Sequence, residues 1–341
     1  MPSSSPFRND CLNSRVALIT GGGSGICFEI TNQLLQHGLA GAVICGRRTA
    51  FLERAARLLM EQQQHRNPYS SRSSSHQQPV VLYQVCDVRD PRQCQQAVQF
   101  AVEQFGRLDI LINGAAGNFL AEAKSLSPKG FATVMQIDAH GTFNMCSAAY
   151  PALARQAATT AAATPTSNSI CTASSSSDQV TNSNNDCGPI IINISATLQY
   201  GATWWQSHPS AAKAAVDSLT RSLALEWGSS DGIRVVGIAP GATADTPGTT
   251  KLAPPPGLLD DASSMENAAV EGIPLGRMGE KKEIGLAAVY LCTANYVTGH
   301  VLVVDGGEWL YRPPLVPKNM VGELSRKVEA RSRAQGPESM L

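Results

Sequence analysis

The sequence has no CxxC pair, although it carries nine cysteines in 341 residues. Cys11, Cys27, Cys45, Cys86, Cys94, Cys146, Cys171, Cys187 and Cys292 stand singly, and their number is odd. That scatter argues against a zinc site and against a disulfide framework, and for a reduced, intracellular protein with buried thiols. No apolar run approaches the roughly 20 residues that cross a bilayer. The opening MPSSSPFRNDCLNSR lacks the apolar core of a secretory signal. Neither charge is in excess, because 27 Lys and Arg balance 27 Asp and Glu. The basic footprint of a nucleic-acid binder is therefore missing. The expectation is a protein with no metal, no membrane span and no nucleic-acid partner. What is present is a 43% hydrophobic content, enough to bury a core and to exclude wholesale disorder.

Short β-branched runs alternate with longer stretches of helical spacing. Val16–Ile19, Ala42–Cys45, Val80–Val85, Leu108–Ile112, Ile190–Ile194, Ile233–Ile238 and His300–Val304 read as strands. Between them, Ile26–His37, Phe51–Met60, Gln93–Phe105, Ala211–Trp227 and Glu280–Leu291 read as helices. Strand–helix alternation predicts an α/β protein, a single doubly wound Rossmann-type domain with a seven-stranded parallel sheet. The domain is expected over residues 13–313, after an N-terminal extension at 1–12 and before a basic, polar tail at 314–341. Two stretches, near 62–78 and 156–188, are rich in Gln, Ser, Thr, Asn and Ala. They have too little apolar bulk to offset their ordering entropy and read as flexible insertions.

The first strand runs into Thr20-Gly21-Gly22-Gly23-Ser24-Gly25-Ile26, directly before a helix. Glycines let backbone amides approach a pyrophosphate, and a helix N-terminus favours its charge. A bare tight turn gives the same letters, but the strand–turn–helix position favours dinucleotide binding. The second strand ends Cys45-Gly46-Arg47-Arg48. An NAD site usually has a carboxylate there, whereas arginine suits the 2′-phosphate of NADP. Arg47 and Arg48 point to NADPH; the alternative is a solvated basic turn. Asp87, after the third strand, either borders an adenine pocket or caps the next helix. Asn113-Gly114-Ala115-Ala116-Gly117-Asn118 closes the fourth strand with small residues, which suits backbone lying close to a ligand.

Taken in order, the Gly-rich turn, Asp87, Asn113–Ala116, Lys213, Pro240-Gly241 and Asp305-Gly306-Gly307 resemble the short-chain dehydrogenase/reductase family over roughly residues 12–312. The resemblance implies cofactor contacts from Gly21, Gly23, Ser24, Gly25, Ile26, Arg47, Arg48, Asp87, Val88, Asn113, Ala115 and Lys213. It implies further contacts from Pro240, Gly241, Thr243 and Thr246, in a cofactor-closing loop. The chain departs from the family at Cys27, where a further glycine is usual, so altered helix–strand packing is expected there. It departs again in the catalytic set. The position four before Lys213 is Pro209 instead of Tyr, thirteen before that is Ala196 instead of Ser, and Asp138 replaces the usual helix Asn. Neither Pro209 nor Ala196 can donate a proton, which argues against ordinary alcohol or ketone chemistry.

Those departures themselves resemble a branch of the family in which the Tyr is absent and the Asn is Asp. Asn113–Leu120, Ile194–Leu198, Ser210–Asp217, Leu223–Gly228 and Tyr296–Gly299 carry this resemblance. It implies NADPH-dependent reduction of 2,4-dienoyl-CoA to trans-3-enoyl-CoA in β-oxidation of unsaturated fatty acids. Asp138 and Lys213 would be catalytic, with Asp138 the proton source through a water; the alternative is an Asp138 simply satisfied by Lys213. His208 and Tyr200 stand as alternative donors, while His140 falls on a different helix face from Asp138. Arg89, Phe119, Ser127 and Lys129 fall where the family contacts acyl-CoA. Arg89 and Lys129 suit a CoA phosphate or a solvated surface equally. Trp204 and Trp205 line the acyl pocket or fill an interface, and Leu252–Gly257 belongs to a lid.

The family resemblance also implies a homo-oligomer, a tetramer. The final Ser339-Met340-Leu341 resembles a Ser-Lys-Leu-type peroxisomal address with its basic middle residue replaced. Peroxisomal import through a receptor is expected, with cytosol the alternative. Competing functions are another acyl-thioester reductase, acting on trans-2-enoyl-CoA or 3-oxoacyl substrates, and a catalytically silent NADP-binding scaffold.

Overall fold

Seven parallel strands form one sheet in the order β3-β2-β1-β4-β5-β6-β7. The computed structural model describes residues 5–66, 79–163, 187–252, 270, 272–312 and 326. The strands are β1 (Val16–Thr20), β2 (Gly41–Gly46), β3 (Val80–Val85), β4 (Ile110–Asn113), β5 (Ile190–Ile194), β6 (Arg234–Pro240) and β7 (Val301–Val304). Each strand read from the sequence is present: β3 and β5 have the expected bounds, and the others are displaced by a residue or two at one or both ends. Central strands such as β1, VALIT, are buried along their whole length. A sheet covered on both faces has no solvent side, so its strands read as continuous apolar runs.

Helices α1 (Gly25–Gln36), α2 (Thr49–Arg66), α3 (Pro91–Phe105), α4 (Pro128–Met135), α5 (Gly141–Ala163), α6 (Ser207–Asp231), α7 (Pro247–Leu252) and α8 (Lys281–Thr293) complete the described chain. Their ends follow capping chemistry. Asp90 accepts from the Arg92 N–H at 2.9 Å, Pro91 follows it, and α3 stops at Gly106 in the left-handed conformation. Ser127 accepts from the Gly130 N–H at 3.0 Å to start α4. Glu280 and Glu283 form a reciprocal capping box at the head of α8.

One core layer packs α1, α2 and α8 on the sheet through Ile30, Leu34, Leu52, Leu59 and Ile284. The other packs α3, α5 and α6 through Val98, Met145, Leu153 and Leu223. A fully buried side chain of this kind contributes about 2 kcal/mol. Buried arginines brace the far edge: Arg15 donates to the Cys292 carbonyl at 2.9 Å, and Arg234 to that of Leu291 at 2.8 Å.

Several residues outside the expected core or helices have structure. Leu12 is fully buried, and Phe7 packs edge-on against His37, so the N-terminal segment from Ser5 contributes to the core. Helices α2 and α5 run on to Arg66 and Ala163, into the first residues of the two low-complexity stretches. Most of those stretches, residues 253–257 of the expected lid and the C-terminal tripeptide lie outside the described residues. The continuous helical run of α4, a π turn at Gln136–His140, and α5 was not read from the periodicity. Among the described residues eight cysteines are free thiols, and no helix is long and apolar enough to cross a membrane.

Candidate active site

The chain reverses its direction of growth between β1 and β4, which are hydrogen-bonded neighbours. A crevice opens there at the carboxyl ends of the strands, where ligands of open α/β sheets bind. Thr20, Asn113 and Asn193 stand side by side in register at its floor. The Thr20 hydroxyl accepts from the N–H groups of Gly114 and Ala115, at 3.0 and 3.2 Å. The Asn113 amide donates to Asn193 Oδ1 at 2.9 Å, and Asn193 donates to Thr220 Oγ1 at 2.9 Å. This buried belt ties β1, β4, β5 and α6 beneath the crevice. Asn193 and Thr220 carry no motif in the sequence, and Thr20 reads there only as the first residue of the Gly-rich turn.

The crevice encloses about 380 Å³. At one end it is walled by the Gly-rich turn, whose Gly21 has φ +71°, and a Cβ there would sit 2.7 Å from the Gly114 carbonyl oxygen. Only glycine meets both demands. Ser24 stands at the N-cap of α1 without a side-chain cap bond, and the first turn contains no carboxylate. Its free amides therefore face the crevice with the positive end of the helix dipole, a setting for a pyrophosphate.

Cys27 follows in the first turn of the helix, where the sulfur fills the space that a side chain at Gly114 would need. Helix and strand are thus keyed by a thiol against a bare backbone. Burial pushes the Cys27 pKa up to about 12, so the group is a neutral packing element.

Arg47 and Arg48 lie exposed at the end of β2 and line the crevice with Asp87 and Val88. The Arg48 guanidinium stacks 3.8 Å above the Phe51 ring. Arg89 is not among the residues that line the crevice. It forks onto Asp87, with Nε 2.9 and 3.0 Å from the two carboxylate oxygens. That hydrogen bond, followed by the field of the two arginines Arg89 and Arg47, holds the Asp87 carboxyl below its ordinary range. Free basic groups for a 2′-phosphate are therefore Arg47 and Arg48, since Arg89 is already paired. Glycine turn, open helix amides and arginine pair fit a phosphorylated dinucleotide.

At the other end stands Asp138, 1% exposed, in the π turn between α4 and α5. An extra residue in a helical turn re-aims side chains, and such turns recur at functional sites. Asp138 Oδ1 accepts from the Gly117 N–H at 2.7 Å. Its Oδ2 is 3.1 Å from Lys213 Nζ, which also donates to the Ile194 carbonyl at 2.9 Å. Lys213 lines the crevice from α6, so the ion pair closes its floor. His140, two residues on, is exposed.

Around this pair the sequence-derived candidates divide. Gly21, Gly23, Ser24, Gly25, Ile26, Ala115 and Thr246 line the crevice with the residues already named. Asn113 is one layer below. Thr243 is buried in a bridge to Gly279, and Pro240 and Gly241 hold that loop from behind. Phe119 stacks on His208 with ring centroids 4.2 Å apart. Ser127 and Lys129 are exposed at the start of α4, away from the crevice lining. Trp204 is 81% exposed and Trp205 also faces solvent.

Ser195, beside the Ala196 position, donates to Asp217 at 2.5 Å, and Gln199 bonds both. Tyr200 belongs to this set and stacks on Trp309; burial, then the Asp217 charge, pushes its pKa up to about 12. Nothing in residue spacing pointed to the Ser195–Asp217 pair, which is joined only by packing of β5 on α6.

Fold, switch-point crevice and glycine turn define a nicotinamide-dinucleotide oxidoreductase of the Rossmann type. The chain belongs to the short-chain dehydrogenase/reductase family: the profile described as short chain dehydrogenase matches residues 15–169, and that described as Enoyl-(Acyl carrier protein) reductase matches residues 167–308. NAD(P)H is the cofactor class of that family. Among its relatives, the Peroxisomal 2,4-dienoyl-CoA reductase [(3E)-enoyl-CoA-producing] of Arabidopsis thaliana is 46% identical over 333 residues, 97% of this chain and 96% of that protein. The protein of the same description from Danio rerio is 39% identical, over 89% of this chain and 84% of its own. A short chain dehydrogenase of known structure from Bacillus anthracis superposes with a TM-score of 0.65 at 30% identity, covering 89% of this chain and all of that one.

Proposed function

We propose that this protein reduces 2,4-dienoyl-CoA to (3E)-enoyl-CoA, the reaction the relatives described above are named for, that NADPH is its reductant, and that it works in the peroxisome. The observation that carries the reading is the buried Asp138–Lys213 pair at 3.1 Å, whose Lys213 lies on a helix with Pro209 at the family's Tyr position. A site without a phenol is unsuited to protonating an alkoxide. It is suited to a delocalised anion, which fixed donors and a nearby cation stabilise without one.

NADPH, when bound in the crevice, would supply the hydride that C5 of the diene accepts. The C4–C5 π pair moves to C3–C4, and the C2–C3 pair moves toward C1, placing negative charge on the thioester oxygen. A solvent proton, relayed through water held at Asp138, then adds to C2 and leaves the C3–C4 double bond. Asp138 is oriented for this by the Gly117 N–H. Lys213 orients the nicotinamide ribose and offsets the developing negative charge. Arg47 and Arg48 select the 2′-phosphate, and the amides of the Gly-rich turn and α1 hold the pyrophosphate.

Following NADPH absorbance with a trans-2,trans-4-dienoyl-CoA tests the reading. Wild type turns over and releases the 3-enoyl product, identified by NMR, and shows no turnover with a 3-oxoacyl-CoA. Asp138→Asn and Lys213→Ala lose about 10²- to 10⁴-fold in kcat. A folded, NADPH-binding wild type that leaves the dienoyl-CoA unchanged overturns the assignment.

A further inference from the structure

Among the described residues, His208 is a buried, titratable side chain that the mechanism leaves unused. His208, on the first turn of α6, is fully buried, and neither ring nitrogen has a hydrogen-bond partner of normal geometry. An unpaired buried polar group is costly, so nearly all of them are satisfied or kept for a purpose. Burial holds its pKa below the ordinary histidine range, against the opposing pull of the Phe119 backbone and the Asp138 carboxylate. The ring is therefore a neutral imidazole that carries one N–H donor and one acceptor.

Its surroundings are specific. The Phe119 ring covers one face at 4.2 Å. Phe119 sits on the segment that leaves β4, which is fastened to the start of α6 by two bonds. The Ala121 N–H donates to the Trp205 carbonyl at 2.9 Å, and Asn118 Nδ2 donates to Gln206 Oε1 at 3.1 Å. Asn118 lines the crevice, and its own Oδ1 is also buried without a partner. Unsatisfied polar atoms are thus gathered beside Asp138, under an aromatic ring that is itself 37% exposed. An apolar chain can replace that ring contact at little cost, and a carbonyl entering with it would find the missing partner.

We propose that His208 donates a hydrogen bond to the thioester oxygen of the acyl-CoA, and that Phe119 covers the imidazole until the acyl chain takes its place. In that position a neutral donor polarises the conjugated system before hydride transfer and stabilises the dienolate after it, while Asp138 serves the carbon end. The inference rests on the dienoyl-CoA reductase reading.

The test compares His208→Phe and His208→Gln with wild type by steady-state kinetics, thermal unfolding and the ultraviolet band of 2,4-dienoyl-CoA bound with NADP+. Phe keeps the shape and the stack on Phe119 but removes the donor; Gln keeps an N–H. The expected result for His208→Phe is a kcat about 10²-fold lower with unchanged NADPH affinity. Its Tm stays equal or rises, because an unpaired polar group has been removed. The bound dienoyl band, red-shifted in wild type by the hydrogen bond, loses that shift in His208→Phe and keeps part of it in His208→Gln. Should His208→Phe not fold, His208→Gln decides: an unshifted band at wild-type kcat overturns the proposal. So does a His208→Phe enzyme with wild-type kcat and band position. If wild type itself does not turn over the dienoyl-CoA, the functional reading has failed, and this outcome is separate from the two above.

Discussion

The sulfur of Cys27 occupies the space that a Cβ on Gly114 would claim, so the first helix and the fourth strand close on each other through one thiol and one bare backbone. The family resemblance puts a glycine at residue 27 and leads to an expectation of altered packing there. The two positions are complementary: a larger residue at 27 requires the smallest at 114, directly under the dinucleotide crevice.

Gly114→Ala should therefore destabilise the protein by about 1–3 kcal/mol, the usual cost of overpacking a core. Adding Cys27→Gly to it should recover part of the loss, because the two residues share one space. Urea unfolding midpoints of the two single variants and the double variant check this. Strict additivity would show that the contact does not govern the packing.

In the proposed function Arg47 and Arg48 carry the choice between NADPH and NADH. Hydrogen bonds to a charged group are worth about 1.5–3 kcal/mol. Replacing both arginines by Ala should thus raise the KM for NADPH about 10- to 100-fold and leave the KM for NADH little changed. Arg48→Lys should rescue poorly, since it keeps the charge but loses the planar fork and the stack on Phe51. Equal losses for both cofactors would move the 2′-phosphate site elsewhere.

Acid stability should depend on Glu283. Hydrogen bonding from Arg277, at 2.6 and 2.9 Å, holds its carboxyl at about 2, below the ordinary 4.5, and the Glu280 N–H adds to this while burial opposes it. The folded state favours the ionised form. Its contribution is therefore complete above about pH 4.5 and disappears as pH falls through about 2. The pair is half-exposed, so solvent screening keeps the contribution small. Glu283→Gln should flatten the stability–pH curve in that window and nowhere above it. An unchanged acid slope in denaturant titrations would rule this out.

Much of the site was legible before any coordinates. The Gly-rich turn announces itself because strand, glycines and helix are adjacent in sequence, and local geometry alone dictates their use. Arg47-Arg48 reads for the same reason, as the residues that end the second strand. Arg89 stays open in the sequence, since its chemistry suits a CoA phosphate as well as a carboxylate; in the structure it pairs with Asp87, two residues away. The helical run from Pro128 to Ala163 does not show in the apolar periodicity, which the π turn breaks, and only the family resemblance put Asp138 and His140 on a helix.

The sequence by itself determined the order of strands and helices, the parallel sheet, the dinucleotide turn and the loss of the family's proton donor. Each depends on periodicity or on residues a few positions apart. Only the tertiary structure decided which groups meet at the reacting end. Asp138 and Lys213, His208 and Phe119, and Ser195 and Asp217 lie on different elements. Their contact is set by how α4, α5 and α6 pack beside β4 and β5, a consequence of the burial of the whole core that no local pattern encodes.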